Sequence, residues 1–363
     1  MDFTFLCSKA PPKNGRRVAI IGAGPSGLSA TGYLACAGYQ VEVYDKLPKP
    51  GGLMVFGIPG HRIKPENIAR GVEKLQNEFG VQFKLRTKIC GSEPMYQETG
   101  DQLAFTYKSL GGRVQDNDAV LICTGTWKPR RINIPGSNLR GVYSGLEFLF
   151  PVRAASYDIS QVEVPEIKGK KIAVIGAGFT AVDAVHAAMS EGAEKVYLIY
   201  RRTRAEAPCG TLEFELLEKK GTRCIEQCGP LEILGRDRVE GLKLAPCRIT
   251  GSGNGGRPEL HPDESYVLDV DIVVAAIGET GTPPFAHDLG LENVRRGEVK
   301  WLQMTRLDSV FVAGDVLIGP SRIGKAVFSG LKAAKSLDEW LNLKAQDRLD
   351  EFKGEVIRRE DLR

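Results

Sequence analysis

Two glycine clusters carry the residue types and spacings that could do chemistry. In the first, Gly22, Gly24 and Gly27 form G-x-G-x-x-G after the apolar run Val18 to Ile21 and before an alanine-rich segment ending near Ala37. Gly22 permits a tight turn, and Gly24 lets backbone approach a pyrophosphate. Gly27 lets helix and strand pack closely, so that the helix N-terminus faces the anion. The next apolar run, Gln40 to Tyr44, ends in Asp45, and a carboxylate about 20 residues past the glycines suits the 2′-hydroxyl of an adenosine ribose. The second cluster, Gly176, Gly178 and Ala181 with Phe179 and Thr180 between them, follows the strand-like run Lys171 to Ile175. Its next strand, Val196 to Tyr200, ends in Arg201 and Arg202 with no carboxylate. A guanidinium pairs with a 2′-phosphate through parallel charge-assisted hydrogen bonds, which favours NADPH over NADH. Arg204 adds positive charge nearby; the plain alternative is a solvated basic loop.

These residues need two strand–turn–helix–strand units to position them. The repeat predicts an α/β chain of two Rossmann-like dinucleotide-binding domains, the second inserted into the first. The expected divisions are an arm over 1–14, the first domain over 15–135 and 284–343, the inserted domain over 136–283, and a charged tail over 344–363. Further buried strands are expected at Asp118 to Thr124, ending in Gly125, at Asp271 to Ile277, ending in Gly278, and at Ser309 to Gly314, before Asp315. Ile68 to Phe79 has helical spacing, Val81 to Thr87 alternates like one strand, and a helix is expected from Ser321. Strands are expected over 224–249 and a loop or hairpin tip over 251–259. In the tail, Ala345, Leu349, Phe352 and Val356 have helical spacing.

Composition bounds the remaining possibilities. With 363 residues, 42% hydrophobic and 26% charged, the chain has the make-up of a globular protein of two or so domains. A net charge of +4, evenly spread, gives no nucleic-acid footprint. No apolar run reaches the ~18 residues of a membrane helix. The start carries no export signal, and the eight scattered cysteines lack a disulfide-scaffold density. A reducing cytoplasm is the expected setting, and an oligomer is open.

Several motifs in one order carry a resemblance: GAGPSGL, PGGLMVFGIP, CTG, GAGFTAVDA, YRRTRAEAP, AIG and VFVAGDV. The chain resembles the two-dinucleotide-binding-domain flavoproteins over roughly residues 15 to 340. GGLMVFGIP and YRRTRAEAP resemble the glutamate synthase small (β) subunit branch, which includes the NADPH-oxidising subunits of related reductases. The resemblance implies FAD on the first unit, at Gly22, Gly24, Pro25, Ser26, Gly27, Asp45, Lys46, Gly52, Leu53, Thr124, Gly125, Gly314, Asp315, Gly324 and Ala326. It implies NADPH on the second, at Gly176, Gly178, Phe179, Thr180, Ala181, Arg201, Arg202 and Gly278. Asp315 resembles the aspartate that hydrogen-bonds the flavin ribityl chain, and the helix from about Gly324 would point at the flavin N1/O2 edge, where charge develops on reduction. Members of this branch commonly carry an upstream cysteine-rich iron–sulfur domain. Here only Cys7 precedes the first strand, so any cluster relay is expected on another polypeptide.

The other reactive residues carry less. No C-x-x-C occurs; Cys224 and Cys228, if in one strand, would share a face. No metal-ligand set is evident, so no metal site is expected. Cys36 and Cys123 are read as small core residues, and Cys209 sits suggestively in the second cofactor loop. Of the four histidines, His61 lies in the loop expected near the flavin, and Glu279 follows the AIG strand; both are candidates for proton balance. The expected activity is FAD-dependent NADPH oxidation. Electrons would pass to a glutamate-synthase-type large subunit or iron–sulfur partner. The alternatives are a stand-alone NAD(P)H dehydrogenase, a ferredoxin:NADP reductase-type enzyme, or a flavin-binding assembly subunit without turnover.

Overall fold

Burial on both faces accounts for the unbroken apolar strands. Arg17–Ile21 forms β1, Pro25–Cys36 α1 and Gln40–Tyr44 β2, with β1 and β2 parallel and Val18 paired with Val41. Pro65–Asn77 is α2 and Gln82–Lys84 β3. Ala119–Ile122, β4, completes the first part of this sheet. In the computed structural model, residues 2–91, 98–250, 256–280, 298–300, 309–352 and 356–358 are described.

The inserted segment repeats the plan. Val142–Ser144 (β5), Lys171–Ile175 (β6), the helix Phe179–Ser190 (α3), Lys195–Ile199 (β7), Arg223–Ile225 (β8) and Ile272–Ala275 (β9) build a second parallel sheet, ordered β8-β7-β6-β9-β5. Between β8 and β9 the chain adds an antiparallel sheet from Cys228–Leu234, Gly241–Thr250, Arg257–Leu260 and Tyr266–Leu268. The chain then returns to the first sheet with Val310–Val312 (β10) and the long helix Ile323–Ala345 (α4), giving the order β10-β4-β1-β2-β3.

Two compact units result. One holds Met1–Phe56, Gly60–Lys128 and Glu279–Arg363, the other Gly57–Pro59 and Pro129–Gly278. The divisions fall earlier than the expected 135/136 and 283/284; at the first of them, Ile132 and Ile134 pack against the core of the second unit. Each unit has its own apolar core: Ile20, Val43, Leu121 and Phe311 in the first, and Val174, Val185, Leu198 and Phe214 in the second.

The structure corrects four local expectations. The single strand expected over Val81 to Thr87 is two, because Arg86 takes a left-handed φ of 50° and starts the separate strand Thr87–Cys90. Among the described tail residues the expected helix is not formed. Asp347 turns left-handed (φ 58°), Leu349–Glu351 is a short 3-10 turn, and Val356–Arg358 pairs antiparallel with Glu298–Lys300. Of the tail's apolar residues, Phe352 packs against the core and Leu349 is exposed. The N-terminal arm is part of the first unit: Thr4 is buried, and the Thr4 carbonyl occupies the space that a Cβ at Gly32 would need. Finally, Cys36 is not a free core thiol but is disulfide-bonded to Cys7, which staples that arm to α1. The rest of the loop expected over 251–259 lies outside the described residues, apart from Gly256 and the strand beginning at Arg257.

Candidate functional site

In the first unit the three glycines divide their tasks. Gly22 has a left-handed φ of 106°, and a Cβ there would collide with the Cys123 carbonyl. A Cβ at Gly27 would collide with the Gly22 carbonyl, so this glycine sets how closely α1 approaches β1. Gly24 caps α1 and has open space where its Cβ would be. It is the glycine left free for a ligand. Pro25 opens the helix, and Ser26 lies beneath Gly314, where a Cβ would meet the serine side chain. Gly51 donates its N–H to the Ala23 carbonyl at 2.8 Å, and Gly52 folds against Gly24. Leu53 begins the short helical turn Leu53–Phe56 beside them.

Asp45 also has a structural task. Its carboxylate accepts the Ala23 N–H at 2.7 Å and the Leu47 N–H at 2.8 Å, clamping the glycine turn to the end of β2. Burial pushes this carboxyl up from the ordinary value, against the pull of those two N–H groups and of Lys46. Each oxygen keeps a second lone pair for a ribose hydroxyl. Lys46 is likewise occupied. Its ammonium bonds Glu98, Asp101 and the Thr99 carbonyl, and lies 4.4 Å from the Trp127 ring centre. Asp101 also pairs with buried Lys88. Nothing in the local sequence signalled this buried charge cluster; its members come together only through the strand Thr87–Cys90. Removing one partner from such a cluster leaves an uncompensated buried charge.

Asp45, Lys46, Lys88 and Glu98 line a cavity of about 50 Å³ with Gly22, Tyr44 and Thr124. Among the described residues the buried Thr124 hydroxyl has no hydrogen-bond partner. An orphaned hydroxyl and an acid beside the glycine turn fit the polar edge of a dinucleotide. Gly125 follows with φ 73°. On the far side of the turn, Gly314 donates its N–H to the Ser329 hydroxyl at 2.9 Å. Asp315, held by the Ser321 hydroxyl and N–H, has its carboxyl raised by burial. Gly324 opens α4 with free space at its Cβ position, and Ala326 is buried one turn on. The expected residues thus gather at the carboxyl ends of β1, β4 and β10.

The second unit repeats this geometry with different charge. Gly176 is left-handed (φ 126°) and abuts the Ala276 carbonyl, Gly178 caps α3 with open space, and Ala181 is buried. Phe179 is partly exposed and Thr180 packs under Gly145. A cavity of about 720 Å³ runs from this turn past Arg201 and Arg202 to Gly278. Arg202 is tied to Glu206 at 2.7 Å and to the Gly256 carbonyl at 2.8 Å. Arg204 is neutralised by Glu218 and Glu226, so it does not add the free positive charge expected of it. Arg201 is exposed and, among the described residues, has no side-chain partner.

His61 is an exposed loop residue, and Glu279 sits in a two-residue strand paired with Lys128–Pro129. Cys224 and Cys228 do not share a face: Gln227, at φ 47°, separates the two sheets they belong to. Burial raises the Cys224 thiol to about 12, and Cys228 lies 3.6 Å from the Tyr266 hydroxyl. Cys123, buried against Ser26, is also raised to about 12 by burial. Cys209 is partly buried, its N–H bonded to the Ala177 carbonyl beside the glycine turn. Among the described residues no group of three potential metal ligands forms, and no helix is long and apolar enough to cross a membrane.

The comparisons agree with this geometry. Residues 16–330 match the family described as pyridine nucleotide-disulphide oxidoreductase. The chain is 34% identical to a putative glutamate synthase [NADPH] small chain of Cereibacter sphaeroides, over 89% of this chain and 76% of that protein. It is 30% identical to the glutamate synthase [NADPH] small chain of Halomonas elongata, over 90% of this chain and 68% of that one. It is also 32% identical to an NADP(+)-dependent formate dehydrogenase subunit beta of Moorella thermoacetica, spanning only 44% of that protein. Among solved structures, Mycobacterium tuberculosis FprA in complex with NADPH superposes with a TM-score of 0.71 at 20% identity, covering 94% of this chain and 88% of that one. At that identity the likeness shows the fold. With two dinucleotide cradles on two Rossmann-like sheets, the chain belongs to the pyridine nucleotide-disulphide oxidoreductase family, as an FAD- and NADPH-binding flavoprotein oxidoreductase of the glutamate synthase small-subunit-like kind.

Proposed function

We propose that this chain is an electron-input subunit: it oxidises NADPH on the second unit and delivers the electrons, through FAD on the first, to a glutamate-synthase-type or iron–sulfur partner. The observation that carries the reading is the contrast between two otherwise matching cradles, one closed by Asp45 and the other by Arg201, which has no side-chain partner among the described residues. FAD, when bound, supplies hydride acceptance and the storage of electrons for onward transfer. The protein's own share is binding and electrostatics. Gly24 and Gly178 at open helix N-termini are the groups for phosphate, Thr124 offers a buried hydroxyl, and Asp315, held by Ser321, is the group for the flavin side chain. Arg201 supplies the charge for a 2′-phosphate, and the cytoplasmic NADPH pool is the source that such a subunit would draw on.

The names of the relatives support an electron-input role and differ in the acceptor, which includes glutamate synthase and formate dehydrogenase assemblies. Two measurements test the reading. Anaerobic titration of the purified flavoprotein with NADPH, then NADH, is expected to bleach the flavin with NADPH at much lower concentration. A yellow protein that neither nucleotide reduces would remove the catalytic assignment. Affinity purification from the native host is expected to bring down a cluster-bearing or synthase-sized partner; a lone chain that reduces ferredoxin at comparable rates would favour the ferredoxin-linked alternative.

A further inference from the structure

A third cavity, of about 540 Å³, lies within the first unit along one face of the β2–β3 pair. Gln40, Glu42 and Tyr44 alternate onto that face, and the register sets Gln82 beside Glu42 and Lys84 beside Tyr44. The strand Thr106–Ser109 and the helix Leu110–Asp116 contribute Lys108, Arg113 and Asp116. Five cationic side chains line the cavity, Lys13, Arg17, Lys84, Lys108 and Arg113, against the carboxylates of Glu42 and Asp116. Both carboxylates are engaged. The Tyr44 hydroxyl donates to Glu42, and Asp116 accepts from Arg113 at 2.8 Å. The Lys13 ammonium donates to the Tyr39 and Phe79 carbonyls. Arg17 and Lys84 have no side-chain partner among the described residues.

The positive charge gathers around Tyr44. The centre of its buried ring lies 5.8 Å from the Lys108 ammonium and 5.3 Å from the Arg113 guanidinium. Arg113 also donates to the Tyr44 hydroxyl at 2.7 Å, and its Nε is buried with no hydrogen-bond partner among the described residues. A buried donor without an acceptor is costly, and an anion in the cavity supplies the acceptor. Lysines and an arginine around one tyrosine repel each other and draw in negative charge. Guanidinium and ammonium groups both suit phosphate oxygens. Among the described residues Val41 is the one aliphatic side chain in the lining, so a base or a hydrocarbon tail gains little burial there. We propose that the Tyr44 end of this cavity binds a compact diphosphate-type anion through Lys84, Lys108 and Arg113, with Lys13 and Arg17 adding attraction from the amino ends of the strands. The site is separate from the FAD cradle, although Tyr44 borders both: it also lines the 50 Å³ cavity, and its carbonyl accepts the Gly22 N–H at 2.7 Å.

The test is calorimetric titration of the FAD-loaded full chain with inorganic pyrophosphate, free of divalent cations and with NADP+ saturating the second unit. One saturable site is expected, tighter for pyrophosphate than for orthophosphate and weaker as salt rises. Losing a charged hydrogen-bond donor weakens binding by about 10-fold or more. Lys84→Ala is expected to weaken pyrophosphate by that factor with FAD content unchanged, because its side chain has no partner among the described residues to lose. Lys108→Ala should do the same. Arg113→Lys keeps a charge but removes the fork and the Nε donor, and should also cost about 10-fold. Lys335→Ala, on the exposed face of α4, should leave the affinity within about twofold. The assignment is overturned if the FAD-loaded chain takes up no pyrophosphate, or if adding FAD to the FAD-free chain displaces it, which would put it in the glycine turn. It is also overturned if Lys84→Ala binds pyrophosphate as the wild type does, which would make it an adventitious ion only.

Discussion

The residue we propose to set nucleotide preference is Arg201, and the reason is what its neighbours are already doing. Arg202 and Arg204 are spent on Glu206, Glu218 and Glu226, with Arg202 also on the Gly256 carbonyl. Arg201→Ala is therefore expected to cost NADPH binding about 1.5 to 3 kcal/mol and NADH binding almost nothing, measured as the ratio of their dissociation constants. Arg202→Ala should act differently, loosening the loop and weakening both nucleotides modestly. Asp45 carries a pH-dependent consequence. Because burial raises its folded-state pKa above the unfolded value of 3.8, the folded state binds its proton more tightly. Its contribution is then most favourable below 3.8 and is lost as pH rises through the raised folded value. Asp45→Asn has no such titration and offers one acceptor where two backbone N–H groups need two. Denaturant unfolding of the FAD-free protein should show the variant less stable by about 1 to 3 kcal/mol, with the wild type's margin growing as pH falls through that window. A margin independent of pH would mean that Asp45 is not titrating there.

At the scale of elements, the same fingerprint contains glycines of opposite kinds. Gly27 faces the Gly22 carbonyl across the α1–β1 contact, and Gly24 faces open space. Gly27→Ala is expected to destabilise the FAD-free protein by about 1 to 3 kcal/mol through overpacking. Gly24→Ala should leave that stability within about 0.5 kcal/mol while weakening FAD retention, read by flavin release on dialysis. Equal stability losses at the two positions would contradict this division. Sequence spacing located both glycines but could not say which one faced a ligand. Elements dominated by local apolar patterning were legible. Helix α2, expected over Ile68 to Phe79, runs over Pro65–Asn77. Two elements were not. The break at Arg86 depends on a left-handed backbone that arginine does not advertise, and the tail strand depends on a partner far away in sequence.

At the scale of the whole molecule, two units with separate cores and separate cradles should respond to their ligands separately. Calorimetric unfolding of the FAD-free chain is expected to resolve two transitions. FAD should raise one and NADP+ the other, each by the mass-action stabilisation that a ligand confers on the state it binds. One transition moved by both ligands would show the units unfolding as a single cooperative body.

By itself the sequence determined the repeated strand–turn–helix unit, its α/β class and the two kinds of charge at the ends of the second strands. Glycine spacing, buried apolar runs and a terminal acid or guanidinium are local properties, and local physics makes them readable. Only the tertiary structure decided which of those groups are free. Asp45 is claimed by the Ala23 and Leu47 N–H groups, Lys46 by Glu98 and Asp101, and Arg204 by Glu218 and Glu226. The Cys7–Cys36 disulfide and the place of Arg113 beside Tyr44 belong to the same class. Whether a charge or a thiol is available depends on partners brought in from distant parts of the chain, and no local pattern encodes their approach.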